Sequence, residues 1–334
     1  MKLLFDSSGN GCVDTIGALA CDVPGQTEVA RDHGWVRAAQ YVQMALARAL
    51  LRVPNVPSRE GDRVSPNGSF EQGKPHPARV YDSLLGGKDN YPVDQAVAEG
   101  IAQRWPEIQR SAQQNRAWMA RAVRHMVKEG GVTQFLDIGT GIPTRPNLHE
   151  IAQGMVPSAR IVYVDNDPVV LRHAEALLTP LSPEGRSTYL QADLRDPRAV
   201  LESPEVTGTL DMTRPVGLVL AAILHFLDDE EDPAGVLRVL VDALPAGSYV
   251  ALSHACGDAD PVRAAEASAF YRQNKVSKPV VLRTQKQIEE FFTGLELLEP
   301  GVVPVDRWHP DASVPEGPDD MGFRGGLGLK HGTA

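Results

Sequence analysis

Phe135-Leu136-Asp137-Ile138-Gly139-Thr140-Gly141-Ile142-Pro143-Thr144 is the most informative stretch of the chain. Its mostly apolar start, residues 135–138, is typical of a buried strand. Two glycines follow at once, and because glycine has no Cβ, a turn built from them lets the backbone come close to a ligand. A strand that ends in a glycine turn before a helix predicts a crevice for a nucleotide-type cofactor.

Outward from this stretch, strand patterns and helix patterns alternate. The predicted strands cover residues 133–138, 160–165, 187–191, 216–222 and 248–253, with closing strands at 295–298, 302–305 and 326–329. Asp167-Pro168 and Asp232-Pro233 each place a capping residue before a first-turn proline, which marks two helix starts. The alternation predicts an α/β fold, doubly wound around a mainly parallel sheet.

The chain of 334 residues is longer than one average domain. Residues 1–74 contain a proline- and glycine-rich polar run and are interpreted as an N-terminal extension, partly disordered or linker-like. Residues 75–130 are predicted to form a helical lid, and residues 131–331 the Rossmann-like cofactor domain. Within the lid, residues 75–93 read as a short apolar turn followed by a glycine hinge loop, and Ser111 with Gln114 reads as a capping box that starts a helix.

Composition restricts the partners of the protein. The formal net charge is −10, from 33 basic and 43 acidic residues, and no basic cluster exists, so nucleic acid is not expected as a partner. A small molecule fits better. Cys12, Cys21 and Cys256 show neither disulfide nor zinc spacing, so no metal is predicted and a reducing cytoplasm is expected. No apolar run reaches the roughly 18 residues of a membrane span, and the oligomeric state stays open.

Acidic residues stand at the ends of successive predicted strands. Ligands of such sheets bind outside the carboxyl ends of the strands. Asp165 lies 24 residues beyond Gly141, close to the offset at which a carboxylate accepts from a ribose hydroxyl. Asp193 at the third strand end is placed to accept from an adenine amine. The neighbouring residues Asn166, Leu194 and Ala222 complete the predicted adenosine site.

The glycine turn also restricts the cofactor. The third glycine of a dinucleotide fingerprint is replaced by Thr144, which makes close packing over a pyrophosphate less favourable. Asp137 would repel a pyrophosphate but could accept from an amino-acid ammonium. An adenosine that bears an amino acid and a sulfonium therefore suits this acidic rim.

These segments together resemble a known family. Residues from about 75 to 330 resemble an actinobacterial S-adenosylmethionine-dependent methyltransferase family, first catalogued as a domain of unknown function, within the class I methyltransferase fold. The segments that carry it are Pro75-His76-Pro77-Ala78-Arg79-Val80-Tyr81, Leu84-Leu85-Gly86-Gly87-Lys88-Asp89-Asn90, residues 135–144, residues 162–168, residues 192–197, and Pro300-Gly301-Val302-Val303-Pro304 with Arg307-Trp308. The first two segments are the most distinctive.

The resemblance implies a seven-stranded sheet with a reversed last strand. It also implies S-adenosylmethionine as cofactor and S-adenosylhomocysteine as product, with the methionine moiety at residues 139–141, which include Thr140. The ribose is then placed at Asp165 and the adenine at Asp193. The segment from Tyr81 to Tyr91 is expected to fold over the cofactor. The methyl acceptor is not identified by the resemblance.

Methyl transfer needs alignment and at most one base, so the absence of a catalytic triad is no objection. His225 and His254 follow the fourth and fifth strands and are the candidate bases, and Tyr91 is a candidate for closing over the methyl group. We expect a methyltransferase that acts on a small molecule. A non-catalytic S-adenosylmethionine sensor and an NAD-dependent dehydrogenase stay open as alternatives.

Overall fold

The computed structural model describes residues 73–177, 179–258, 260–311 and 322–332. These residues belong to one compact unit, Pro66–Ala334. The extension predicted over residues 1–74 lies almost wholly outside the described residues. The domain boundaries at residues 74 and 130 therefore stay predictions.

The strands form one mixed sheet. They are β1 Gln134–Ile138, β2 Arg160–Asp165, β3 Arg186–Gln191, β4 Gly217–Ala221, β5 Tyr249–Ala255, β6 Glu296–Leu297, β7 Val303–Pro304 and β8 Phe323–Leu329. Their order is β3-β2-β1-β4-β5-β8-β6, and β8 runs antiparallel to β5. Because the short β6 and β7 pair with different parts of β8, the strands fill seven positions. The predicted seven-stranded, mainly parallel sheet with a reversed last strand is confirmed.

Helices connect the strands and precede them. They are α1 Pro77–Leu84, α2 Pro92–Arg104, α3 Ile108–Lys128, α4 Leu148–Met155, α5 Pro168–Leu177, α6 Pro197–Glu202, α7 Pro204–Thr209, α8 Pro233–Ala243, α9 Pro261–Gln273 and α10 Gln285–Glu290. The two predicted acidic caps are present. Asp167 accepts from the backbone N–H of Val169, and Asp232 accepts from that of Gly235.

Apolar side chains cover both faces of the sheet. Along β1 they alternate, so that Phe135 packs with residues of α3 and α4, whereas Leu136 and Ile138 pack on the opposite face with residues of α6, α7 and α8. A parallel sheet needs such cover on both faces, because its strands are buried on each side. The carboxyl ends of the parallel strands are thereby left as the open edge of the sheet.

Two predictions in the lid segment were wrong. Residues 77–84 form α1 rather than a turn, and His76 caps this helix through its ring nitrogen. Helix α3 begins at Ile108, one turn before Ser111, so Ser111 is a buried residue inside the helix and no capping box. In both places tertiary packing overrides a short local pattern, since Ile108 packs against an apolar cluster of α1, α2 and α9.

Some further properties hold for the described ranges. None of their helices combines the length and hydropathy needed to cross a bilayer. The same ranges hold no group of three or more histidine, cysteine, aspartate or glutamate side chains placed to bind a metal. Cys256 is a free thiol, and Cys12 and Cys21 lie outside the described residues.

Candidate cofactor site

A cleft lies at the carboxyl ends of β1 to β4, next to α1 and α3. Every residue that the sequence predicted for the cofactor lines it. These residues are Tyr81, Asp137, Gly139, Thr140, Gly141, Asp165, Asn166, Asp193, Leu194 and Ala222. The parallel sheet thus brings distant segments of the chain to one shared cavity, as expected for strand ends on the same edge. Their individual contacts with a cofactor stay predictions.

The glycine turn after β1 has a backbone that only glycine adopts readily. Gly139 has φ 75° and Gly141 has φ 66°. A Cβ on Gly139 would also lie 2.5 Å from the side chain of Ile223, far inside van der Waals contact. The N–H of Gly139 donates to the carbonyl oxygen of Val164 at 2.8 Å, which holds the turn against the end of β2.

Asp165 at the end of β2 fastens the same turn. Its Oδ2 accepts from the N–H of Gly141 at 2.8 Å, and its Oδ1 accepts from the N–H of Asp167 at 2.9 Å. Burial raises the pKa of Asp165 to about 6, although these hydrogen bonds favour the ionised form. The carboxylate therefore orders the loop and at the same time faces the cleft.

Two buried oxygen acceptors in the cleft lack partners within the described residues. Asp137 as a whole residue is 7% exposed, and none of the described residues donates a hydrogen bond to its carboxylate. Burial raises its pKa to about 7, while the nearby Arg116 lowers it and Asp165 raises it. The second acceptor is Oδ1 of Asn115, whose side-chain nitrogen donates to the Tyr81 hydroxyl. Such groups point to a ligand that donates hydrogen bonds.

Asp193 at the end of β3 differs from the other two acids. Burial opposes its ionisation, but the N–H of Arg195, the amide of Asn166 and the charge of Arg195 outweigh burial, so the pKa of Asp193 lies below its ordinary value. Lys278 approaches the carboxylate to 4.0 Å. Asp193 is consequently an ionised acceptor at the rim of the cleft.

This geometry agrees with the comparison to known families. The family model described as S-adenosyl methyltransferase matches residues 64–331. This chain belongs to that family. The match begins at residue 64, so it extends further toward the N-terminus than the resemblance predicted from about residue 75. S-adenosylmethionine is the methyl donor of the family, and the predicted class I methyltransferase fold and the assignment to the S-adenosylmethionine-dependent methyltransferases are confirmed.

Solved structures support the assignment. A member of the DUF574 family from Streptomyces avermitilis is 46% identical, with a TM-score of 0.75, and the match covers 78% of this chain and 99% of that one. A protein from Thermobifida fusca that is assigned as a methyltransferase is 38% identical, with a TM-score of 0.71, over 78% of this chain and 97% of that one. No protein of curated function matches this chain.

The structure does not support His254 as a base. Its Nδ1 donates to the carbonyl oxygen of Ala255 at 2.7 Å, and its Nε2 accepts from Nη1 of Arg283 at 3.0 Å. Burial lowers its pKa to about 3. With both nitrogens engaged and the ring fully buried, His254 holds Arg283 in place and does not reach the cofactor cleft.

His225 lies beside the cleft rather than in it. It is buried and lines an adjoining cavity instead. Burial, followed by the neighbouring His254 and Arg283, lowers its pKa well below the ordinary value, so the ring is neutral. A neutral ring that resists protonation is a weak base, which makes proton abstraction by His225 less favourable.

Tyr91 does not line the cofactor cleft itself. Its ring packs under the Arg79 guanidinium at 5.3 Å, and it lines a neighbouring groove together with Asn166 and Asp193. These are the residues predicted for the adenosine. Tyr91 thus lies beside the residues predicted for the adenosine, and its closure over the methyl group stays a prediction.

Sequence reasoning missed the residues that join α1 to the sheet. Arg79 is buried and donates through Nε to Asp94 at 3.0 Å and through Nη1 to Asp167 at 2.8 Å. Since Asp167 follows the predicted ribose residue, this pair of bonds fixes α1 over the edge of the cleft. Asn115 and Arg116 of α3 were missed as well. The sequence did contain a signal for Asn115, because it is a polar residue on the apolar face of a predicted helix.

Proposed function

We propose that this protein transfers the methyl group of S-adenosylmethionine to a small-molecule acceptor. The observation that carries the cofactor's placement is the pair of buried acceptors, Asp137 and Asn115 Oδ1, beside a turn that requires glycine. An ammonium group supplies the donors that these oxygens lack. A pyrophosphate would instead bring a second set of acceptors, which disfavours an NAD-dependent dehydrogenase.

Each end of the cofactor then has a set of residues to hold it. Asp137 and Asn115 bind the ammonium, and Arg116 is placed for the methionine carboxylate. Nη2 of Arg116 donates to the carbonyl oxygens of Thr144 and Pro146. The other nitrogens of this guanidinium have no partner among the described residues. Asp165 accepts from the ribose hydroxyls, and Asp193 accepts from the adenine amine. This division follows the order of β1, β2 and β3 along the sheet edge.

The chain contributes alignment and the exclusion of water. S-adenosylmethionine, when bound, supplies a methyl group that its sulfonium already activates. The protein has to orient the acceptor toward that carbon and keep solvent away. Tyr81 on α1 serves this purpose, because its hydroxyl donates to the carbonyl oxygen of Ala112 at 3.0 Å and so locks α1 against α3 over the cleft.

The small-molecule acceptor and a cytoplasmic location are supported by composition. The net charge of −10 and the lack of a basic cluster make nucleic acid an unfavourable partner. Three widely spaced cysteines are typical of proteins from a reducing compartment.

Calorimetric titration of the full chain tests the cofactor assignment. We expect micromolar binding of S-adenosylmethionine and S-adenosylhomocysteine and no binding of NAD. Asn115→Leu should weaken S-adenosylhomocysteine binding about tenfold, the cost of one hydrogen bond from a charged donor. Gln113→Leu, at an exposed position of the same helix, is the matched control and should bind normally. Preference for NAD would refute the proposal.

Catalysis needs a separate readout, because a sensor would also bind the cofactor. Formation of S-adenosylhomocysteine from S-adenosylmethionine, measured across a panel of phenols, amines and carboxylates, distinguishes an enzyme from a sensor. Turnover with at least one small molecule is the expected result. Cofactor binding without turnover of any acceptor would favour the regulatory alternative.

A further inference from the structure

A second cavity of about 310 Å³ adjoins the cofactor cleft. The two cavities share Pro77, Tyr81 and Phe226, which form a common wall. The second cavity is enclosed by α1, α2, α3, the end of β5 and α9. Its volume lies at the lower end of the range typical of small-molecule sites. A molecule bound there would lie directly beside the cofactor cleft, in contact with side chains that line both cavities.

Apolar and aromatic side chains dominate the second cavity. The aromatic ones include Trp105, Phe226, Tyr271 and Phe323, and the aliphatic ones include Leu84, Ile101 and Val280. Flat walls of this kind favour planar rings. Three charged residues, Glu107, Asp260 and Arg263, also line it. Glu107 and Arg263 form an ion pair with each other, and the Asp260 carboxylate accepts from two backbone N–H groups at the start of α9.

Two polar groups in the cavity lack partners among the described residues. The hydroxyl of Tyr271 is one, and Nε2 of His225 is the other. The N–H of Ala255 points at Nδ1 of His225 at 3.4 Å, which places the ring proton on Nε2. Burial raises the pKa of Tyr271 to about 12, so its hydroxyl keeps its proton. The cavity thus presents two neutral hydrogen-bond donors within apolar walls.

Resting on the proposed function, we propose that the second cavity binds the methyl acceptor and that this acceptor is an uncharged, planar aromatic molecule with an oxygen that accepts from Tyr271 and His225. An anionic acceptor would lose its hydration without gaining a counter-charge, because Arg263 is already paired with Glu107. The remaining acid, Asp260, is engaged by backbone N–H groups as the cap of α9. An aliphatic acceptor would leave the flat aromatic walls poorly filled. Tyr81 and Phe226, which line both cavities, place the bound ring beside the cofactor cleft.

The test uses the full chain saturated with S-adenosylhomocysteine and 2-naphthol as a probe. Calorimetry should show binding of 2-naphthol, about tenfold weaker binding of naphthalene, and no measurable binding of naphthalene-2-sulfonate. Ala267→Trp fills the cavity from α9 and should weaken 2-naphthol binding at least tenfold. Ala265→Trp, at an exposed position of the same helix, should leave it unchanged.

The controls separate this inference from the proposed function. S-adenosylhomocysteine affinity is measured for every variant and should not change. If the wild type fails to bind S-adenosylhomocysteine, the proposed function itself is wrong. If it binds but 2-naphthol binds equally well to Ala267→Trp, or not at all to the wild type, only the acceptor site is overturned. If Ala267→Trp does not fold, Tyr271→Phe tests the proposal instead. In this variant the tenfold preference for 2-naphthol over naphthalene should shrink, and an unchanged preference overturns the proposal.

Discussion

Cofactor affinity should depend on pH through Asp137. Burial raises the pKa of this carboxyl from 3.8 to about 7, so at pH 6 only about a tenth of the free protein carries the carboxylate that the ammonium needs. Affinity for S-adenosylhomocysteine should therefore rise about tenfold between pH 6 and pH 8. Asp165, with its pKa raised by burial to about 6, adds a further factor of about two.

The raised pKa of Asp137 also predicts how stability depends on pH. Cofactor affinity should rise with pH, whereas the free energy of unfolding without cofactor should fall. The pKa of Asp137 is higher in the folded protein than in the unfolded chain, so below pH 4 the group costs no stability. As pH rises from about 4 through 7, the unfolded chain releases its proton first, and folding loses roughly 4 kcal/mol in the absence of cofactor. Asp137→Asn removes this loss, so the variant should be more stable than wild type at pH 8 and equally stable at pH 4.

Titration calorimetry at pH 6, 7 and 8 measures the affinities, and urea unfolding at pH 4 and pH 8 measures the stabilities. For Asp137→Asn the pH dependence of affinity should fall to the factor of about two that Asp165 contributes. Asp193→Asn is the control, because the pKa of Asp193 lies below its ordinary value and the group stays ionised throughout. Affinity that is flat with pH in the wild type, or a tenfold rise that survives in Asp137→Asn, would refute the assignment of the ammonium to Asp137.

Further variants test other parts of the site. Asp165→Ala should weaken S-adenosylhomocysteine binding by about 10- to 150-fold. Removing the ribose hydroxyls from the ligand should lower the affinity of the wild type more than that of the variant. Equal losses of affinity would contradict the ribose contact. Arg79→Met should lower stability by about 3–5 kcal/mol in urea unfolding, since it removes the guanidinium that pairs with two buried carboxylates. Gly139→Ala should abolish tight cofactor binding, whereas Ile223→Ala should not, and equilibrium dialysis measures both. Wild-type affinity in Gly139→Ala would disprove that the turn requires glycine. Deletion of residues 1–63, which precede the family match, should leave cofactor affinity unchanged, and a large loss in calorimetry would place the extension in the site.

Much of the cofactor cleft was predictable from sequence, because its signals are local. A buried strand, a glycine turn and an acid at the next strand end are each encoded within about ten residues, and parallel strands must end at one edge of the sheet. Strand-end position alone therefore assigns Asp137, Asp165 and Asp193 to one cavity. Helix starts marked by Asp-Pro were predicted for the same reason, since an N-cap depends only on its neighbours.

Contacts between distant segments decided the rest. Arg79 makes α1 a buried helix only because Asp94 and Asp167, 15 and 88 residues away, neutralise it. His254 is unsuited to act as a base because Arg283 occupies its second nitrogen. Asn115 faces the cleft because the packing of α3 sets the rotation of that helix. Periodicity and spacing specify which residues share a strand end, whereas the partner of a buried polar group is specified only when the whole chain has packed.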